Sequence, residues 1–220
     1  MGTKECFICV ITCMIFMYNC NAQKHPITLP SPVLESQTSV EKALSHRRSI
    51  RDFRDQALDL KKISQLLWSA QGITSDWGGR TAPSAGATYP IEIYLVVNDS
   101  ENLSAGIYHY EYNDHSLQLV KKGSLAKKLS QACLGQQSIQ KAPVSIIITA
   151  VFQRTAERYG ERAERYVYME AGHVGQNIYL QAESLDLGTV VIGAFHDNEV
   201  KEVLDIDEDV LTIMPVGKSK

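Results

Sequence analysis

From Val167 onward, apolar residues recur at three- and four-residue steps: Val167, Ala171, Val174, Ile178, Ala182 and Leu185. That spacing lays one apolar stripe along a helix. No proline interrupts it, and Gly188 follows as a stop. At 1.5 Å per residue, a helix of about 23 residues is roughly 35 Å long, enough to cross a domain. Glu170, His173 and Asn177 form a second, polar row, flanked by Gln176 and Gln181. Polar groups on so central a helix need partners, so the row is either an internal network or part of an interface.

Shorter patterns place the other elements. Ser39 and Asp59 are candidate N-caps, the second opening a helix with Ile63, Leu66, Leu67 and Ala70 on one face and Gly72 at its end. Residues 91–97, IEIYLVV, and 143–152, PVSIIITAVF, are apolar enough for central strands. Residues 106–112 and 116–120 predict two strands joined by a turn at Asn113-Asp114. A helix is expected at 125–134, a short strand at 189–195, a small helix at 199–204 and a last strand at 211–216. Residues 154–165 carry four arginines and three glutamates, read as an exposed helical face.

With 220 residues and 44% hydrophobic content, the chain can bury a full core. A net charge of -3 gives no basic footprint for nucleic acid. The first 22 residues stand apart: Lys4 precedes an apolar run of about 13 residues, the length of a secretory core and too short for a membrane span. Cys20 and Ala22 are small residues placed for cleavage after Ala22. The organisation read from this is a signal peptide at 1–22, a proline-bearing linker or arm at 23–38 and one domain at 39–220. Export to the periplasm or cell envelope follows; lipid attachment at Cys20 is the alternative, and the only route to the membrane. Cys133 is then the lone cysteine of the mature chain, which excludes an intrachain disulfide and is expected as a small buried hydrophobe. No zinc-ligand spacing occurs in the mature part, so no metal site is expected.

Two stretches carry candidate chemistry. In residues 46–53, HRRSIRDF, Arg47, Arg48 and Arg51 surround Ser49. Guanidinium groups and a hydroxyl in one turn suit a phosphate, although a solvated basic loop has the same composition. In residues 80–90, RTAPSAGATYP, the small side chains of Pro83, Ser84, Ala85 and Gly86 would let backbone approach a flat ligand, or simply form a tight turn.

Taken together and in order, HRRSIRDF, RTAPSAGATYPIEIY and EAGHVGQN followed by VVIGAF resemble the nitroreductase-like FMN flavoprotein superfamily. The chain is most similar to the branch of the thiazoline/oxazoline oxidases, the SagB-type dehydrogenases, over about residues 39–220. The resemblance implies an α+β fold: a three-layer sandwich with a mainly antiparallel sheet flanked by helices, forming an intimate homodimer with FMN at the interface. It implies phosphate and ribityl contacts from Arg47, Arg48, Ser49 and Arg51, completed by Lys218 and Lys220. It implies that Pro83, Ser84, Ala85 and Gly86 cover the flavin from the partner subunit. Val191, Ile192, Gly193 and Ala194 would lie beside the ring, with a Gly193 or Ala194 N–H toward flavin N5. The polar row on the long helix then becomes a buried network positioning the dimer core.

The implied activity is an FMN-dependent oxidoreductase, moving hydride in a ping-pong cycle to or from a small flat substrate. The chemistry is the cofactor's, so no catalytic triad is needed. Azoline dehydrogenation on a peptide is an alternative. In that branch a lysine-tyrosine pair precedes the long helix, whereas this chain has Arg158-Tyr159. Arginine is a poor general base, which leaves Tyr159 as the catalytic candidate. An exported enzyme would meet no cytosolic NAD(P)H, which puts the usual donor in question. A non-catalytic envelope protein binding flavin or peptide is the reading from another class.

Overall fold

The computed structural model describes residues 25–220, so the leader and Cys20 lie outside the described residues. In chain order the elements are β1 (Ile27–Thr28), α1 (Val40–His46), α2 (Leu60–Gln71), β2 (Ile91–Val97), β3 (Gly106–Glu111), β4 (Ser116–Lys122), α3 (Ala126–Ala132), α4 (Gln137–Lys141), β5 (Val144–Ala150), α5 (Phe152–Tyr159), α6 (Ala163–Ser184), β6 (Gly188–Thr189), α7 (Asp197–Leu204) and β7 (Asp209–Gly217). The strands form one sheet in the order β1-β4-β3-β2-β5-β7-β6, with every neighbouring pair antiparallel.

Strand parity builds the layers. Ile91, Ile93, Leu95 and Val97 of β2 enter one core, while Tyr94 and Val96 enter the other. The first core packs β2 and β5 against Ile63, Leu66 and Leu67 of α2 and Val167, Val174 and Ile178 of α6. The second packs them against Leu129 of α3, Ile139 of α4 and Val200 and Leu204 of α7. Each fully buried Leu or Ile at these contacts contributes about 1.5–3 kcal/mol. The three-layer α+β sandwich read from the sequence is the architecture observed.

Both expected caps form: Ser39 Oγ accepts from Lys42 N at 3.2 Å and Asp59 Oδ1 from Lys62 N at 2.9 Å. Gly72 ends α2 because a side chain there would meet the Trp68 ring, 2.1 Å from an added Cβ. Cys133 is buried, and desolvation pushes its thiol up to about 12, so it is an inert core residue.

Four expectations change. The arm at 23–38 supplies an edge strand, β1, which pairs with β4 and is followed by buried Leu29. Residues 154–165 do not form one exposed helix: Gly160, at φ 54°, breaks it, and Arg154 pairs with buried Glu92. The strand at 189–195 shortens to β6 and a single bridge, Ile192 to Ile213; between them the chain leaves the sheet and exposes Val191. Within one chain the polar row is not a connected network among the described residues. Glu170 is buried, His173 is exposed, and the Asn177 side chain donates to Thr81 O at 3.2 Å.

A different polar network crosses the second sheet face. His109 Nε2 bonds Glu92 Oε2 at 2.9 Å and His109 Nδ1 bonds Glu111 Oε1 at 2.8 Å, while Arg154 holds the other Glu92 oxygen. Burial pulls His109 toward the neutral form, but the two carboxylates outweigh it and raise its pKa. Burial likewise pushes Glu92 up, and His109 and Arg154 overcome it, holding its carboxyl below the usual range. Among the described residues, no helix is long and apolar enough to cross a membrane.

Candidate functional site

The C-terminal half of α6, β6 and the chain terminus gather most of the expected residues at one end of the molecule. Residues 47–53 run beside β6: Ile50 N donates to Thr189 O at 2.9 Å, and Phe53 bridges Ser219. Arg54 N donates to Lys218 O at 2.8 Å, so the arginine segment and the terminal lysines share one edge. Lys218 pairs with Asp186, and Lys220 pairs with Asp52 at 3.1 Å. Arg48 turns to the backbone, donating to Ser45 O and Arg47 O. Arg51 is exposed and has no acceptor among the described residues, leaving its five donors free.

Tyr179 ties this end together. Its hydroxyl bonds Ser49 Oγ at 3.0 Å and accepts from Val191 N at 2.9 Å, and Arg47 lies over its ring at 5.0 Å. Sequence reading missed it because it flanks the apolar stripe; its one signal was a tyrosine following Ile178 on that helix. Beyond Val191, Ile192 is buried with its N–H and C=O bonded to Ile213. Gly193 and Ala194 are exposed, their N–H groups have no partner among the described residues, and nothing lies within 4 Å of a Cβ added to Gly193. Free guanidinium donors, a hydroxyl and two open backbone N–H groups form a donor set that suits an anionic, flat ligand, as FMN is.

The other expected segment lies elsewhere. Residues 83–89 sit over the N-terminal half of α6 and the end of α5, where Arg158 Nη1 donates to Gly86 O at 3.0 Å. The backbone there is strained at Ala87 and Tyr89, whose φ values are 54° and 44°, while Gly86 takes 58° with no Cβ to clash. A Cβ on Gly86 would come within 2.5 Å of the Tyr159 hydroxyl, so Tyr159 and the turn are in direct contact. No hydrogen bond or ion pair among the described residues joins Pro83, Ser84, Ala85 or Gly86 to Arg47–Arg51.

Gly188 sets the position of the arginine segment. A Cβ there would approach Ile50 Cβ and Cγ2 to 2.7 Å, too close for ordinary contact. Gly188→Ala is therefore expected to push residues 47–53 off β6 at a cost of about 1–3 kcal/mol, read by denaturant unfolding.

The antiparallel sheet between two helical layers, with a long helix leading to this donor-rich end, is an arrangement that comparison with solved structures places in the nitroreductase fold. A candidate nitroreductase of Ralstonia eutropha superposes with a TM-score of 0.78 at 30% identity, covering 90% of this chain and 91% of that one. The chain belongs to the nitroreductase family, whose model matches residues 44–218. It is 45% identical over 182 residues to a candidate nitroreductase of Methanocaldococcus jannaschii, covering 83% of this chain and 92% of that protein. It is also 29% identical over 160 residues to the microcin B17-processing protein McbC of Escherichia coli, covering 69% of this chain and 58% of that protein's length.

Proposed function

We propose that this nitroreductase-family oxidoreductase is FMN-dependent, homodimeric and exported, and works by a ping-pong cycle on a small flat substrate. The observation that carries the reading is the open donor set at one end of α6: Arg51 and the N–H groups of Gly193 and Ala194, which have no partner among the described residues, with Ser49 held beside them by Tyr179. Arg47, Arg48, Ser49 and Arg51, with Lys218 and Lys220, would hold the phosphate and ribityl chain. Val191, Ile192, Gly193 and Ala194 would hold the ring. FMN, when bound, supplies the hydride chemistry, and the chain supplies binding, orientation and exclusion of water.

The dimer follows from what one chain leaves undone. The turn at 83–86 stands apart from the arginine segment, and a second copy would bring one onto the other. Val33, Leu34, Val40 and Leu44 are 66%, 79%, 64% and 52% exposed on the arm and α1, beside a groove of about 700 Å³ between these, α2 and α6. Apolar residues so exposed and so clustered fit a subunit contact. Export rests on the leader at 1–22.

A peptide azoline substrate is the second reading, favoured by the likeness to the microcin B17-processing protein. Against it, an arginine is a poor general base, and Arg158 is spent on Gly86 O. The deciding experiment is purification with added FMN. A yellow protein with flavin absorption is expected, and a colourless protein that rejects FMN overturns the reading. Turnover of a nitroaromatic with NADPH then favours reductase chemistry, and a two-hydrogen mass loss from an azoline peptide favours the second reading.

A further inference from the structure

Beneath the strained turn lies a buried carboxyl to which the proposed chemistry assigns no role. Glu170 is 2% exposed, its Oε1 has no hydrogen-bond partner, and Gln71 Nε2 beside it is equally buried and unpartnered. Ser84 of the turn is the third group in contact. Arg80 is the charged group facing Glu170 among the described residues, and behind it stand Glu92 and Tyr112. Arg80 is not free to move to Glu170. Its guanidinium is stacked 4.2 Å from the Tyr89 ring and 3.5 Å from the Tyr112 ring, and it donates to Gln71 Oε1 at 2.9 Å.

We propose that Glu170 is a positioning residue for the 83–89 turn, which docks on α6 over the protonated carboxyl and loosens when that proton is lost. The argument rests on competition for partners. A neutral carboxyl can give its O–H to Ser84 Oγ or Gln71 Oε1 and leave the stack intact. An ionised one can take donors from Ser84 Oγ and Gln71 Nε2, but the counter-charge facing it is Arg80, and drawing Arg80 in unstacks Tyr89, the residue that closes the turn by donating its N–H to Ser84 Oγ at 2.9 Å. The outer side of the turn is held by bonds whose donors do not titrate near neutrality, Arg158 to Gly86 O, Arg154 to Tyr89 O and Thr88 to Thr155, so Glu170 is the variable fastener. Burial pushes its carboxyl up to about 7 against the opposing pull of Ser84, Arg80 and Gln71, which brings the change near neutrality. The role in flavin coverage rests on the proposed function; the docking itself does not.

The test is hydrogen exchange of amides 81–90 in the purified chain from pH 4.5 to 8.5, corrected for intrinsic exchange. Opening exposes a carboxyl of ordinary pKa, so protection should fall by up to about tenfold per pH unit between about 4.5 and 7, then level off. Glu170→Gln, which mimics the neutral acid, should keep protection high and independent of pH, and Glu170→Ala should lower it throughout. A flat wild-type profile, or the wild-type slope persisting in Glu170→Gln, overturns the proposal. The wild-type profile alone decides if a variant does not fold. Failure to bind FMN would sink the flavin reading and leave this readout standing.

Discussion

Replacing both Arg47 and Arg51 with alanine is expected to weaken FMN binding by about 10²–10⁴-fold with little change in the stability of the flavin-free chain. Each charge-assisted hydrogen bond to a phosphate contributes about 1.5–3 kcal/mol, and two together span that range at 1.4 kcal/mol per decade. Stability is spared because Arg51 is exposed with no partner among the described residues, and Arg47 gives up only its contact over Tyr179. Such a surface cation–π contact contributes about 0.5–1 kcal/mol. Lys218 and Lys220 behave differently: each is already neutralised by a carboxylate, Asp186 or Asp52, so each alanine substitution should cost less affinity than Arg51→Ala. Flavin-fluorescence titration at fixed salt measures all of these. A double variant that binds FMN within threefold of wild type removes these arginines from the site.

What could be read in advance was what local spacing encodes. The α6 stripe, the apolar run of β2 and the caps at Ser39 and Asp59 depend on residues within a few positions, and all took the expected form. Features set by distant partners were not legible. Ile27–Thr28 is a strand only because β4 presents an open edge to it. Arg154 looked like one of many surface charges, but its partner Glu92 lies 62 residues away in a central strand. Residues 190–191 are apolar enough for a strand, yet the Tyr179 hydroxyl takes the Val191 N–H that a ladder would have used. The candidate site was legible as segments, and the resemblance assigned the 83–86 turn to the partner's flavin; the Tyr179 hydroxyl that joins Ser49 to Val191 was not legible. The polar row failed for a related reason. Periodicity puts Glu170, His173 and Asn177 on one face, but α2 and the 83–89 turn cover only the Glu170 end of it.

That covered end predicts an unusual dependence of stability on pH. The Glu170 carboxyl titrates near 7 when folded against an ordinary value of 4.5, so between those values the native chain holds a proton that the unfolded chain has released. Stability therefore falls as pH rises through that window and flattens above it, by about 3 kcal/mol at 1.36 kcal/mol per unit. His109 adds to the fall: its pKa is raised above 6.5, so its contribution is complete below 6.5 and lost as pH rises through its folded value. Glu92 acts in the opposite sense. Its lowered carboxyl contributes above 4.5 and fails as pH falls, which sets the acid limit. The maximum should lie near pH 4.5, where Glu92 is ionised and Glu170 still holds its proton. Glu170→Gln should match wild type near pH 5 and exceed it by about 3 kcal/mol at pH 7.5, with the amide hydrogen-bonded by Ser84 and Gln71. Urea unfolding at both pH values and one protein concentration measures the difference. The slope that survives in Glu170→Gln above pH 6.5 belongs to His109, and His109→Gln should flatten it. Equal wild-type stability at pH 5 and 7.5 would mean that the carboxyl is already ionised under the turn and that Arg80 has left the tyrosine stack to meet it.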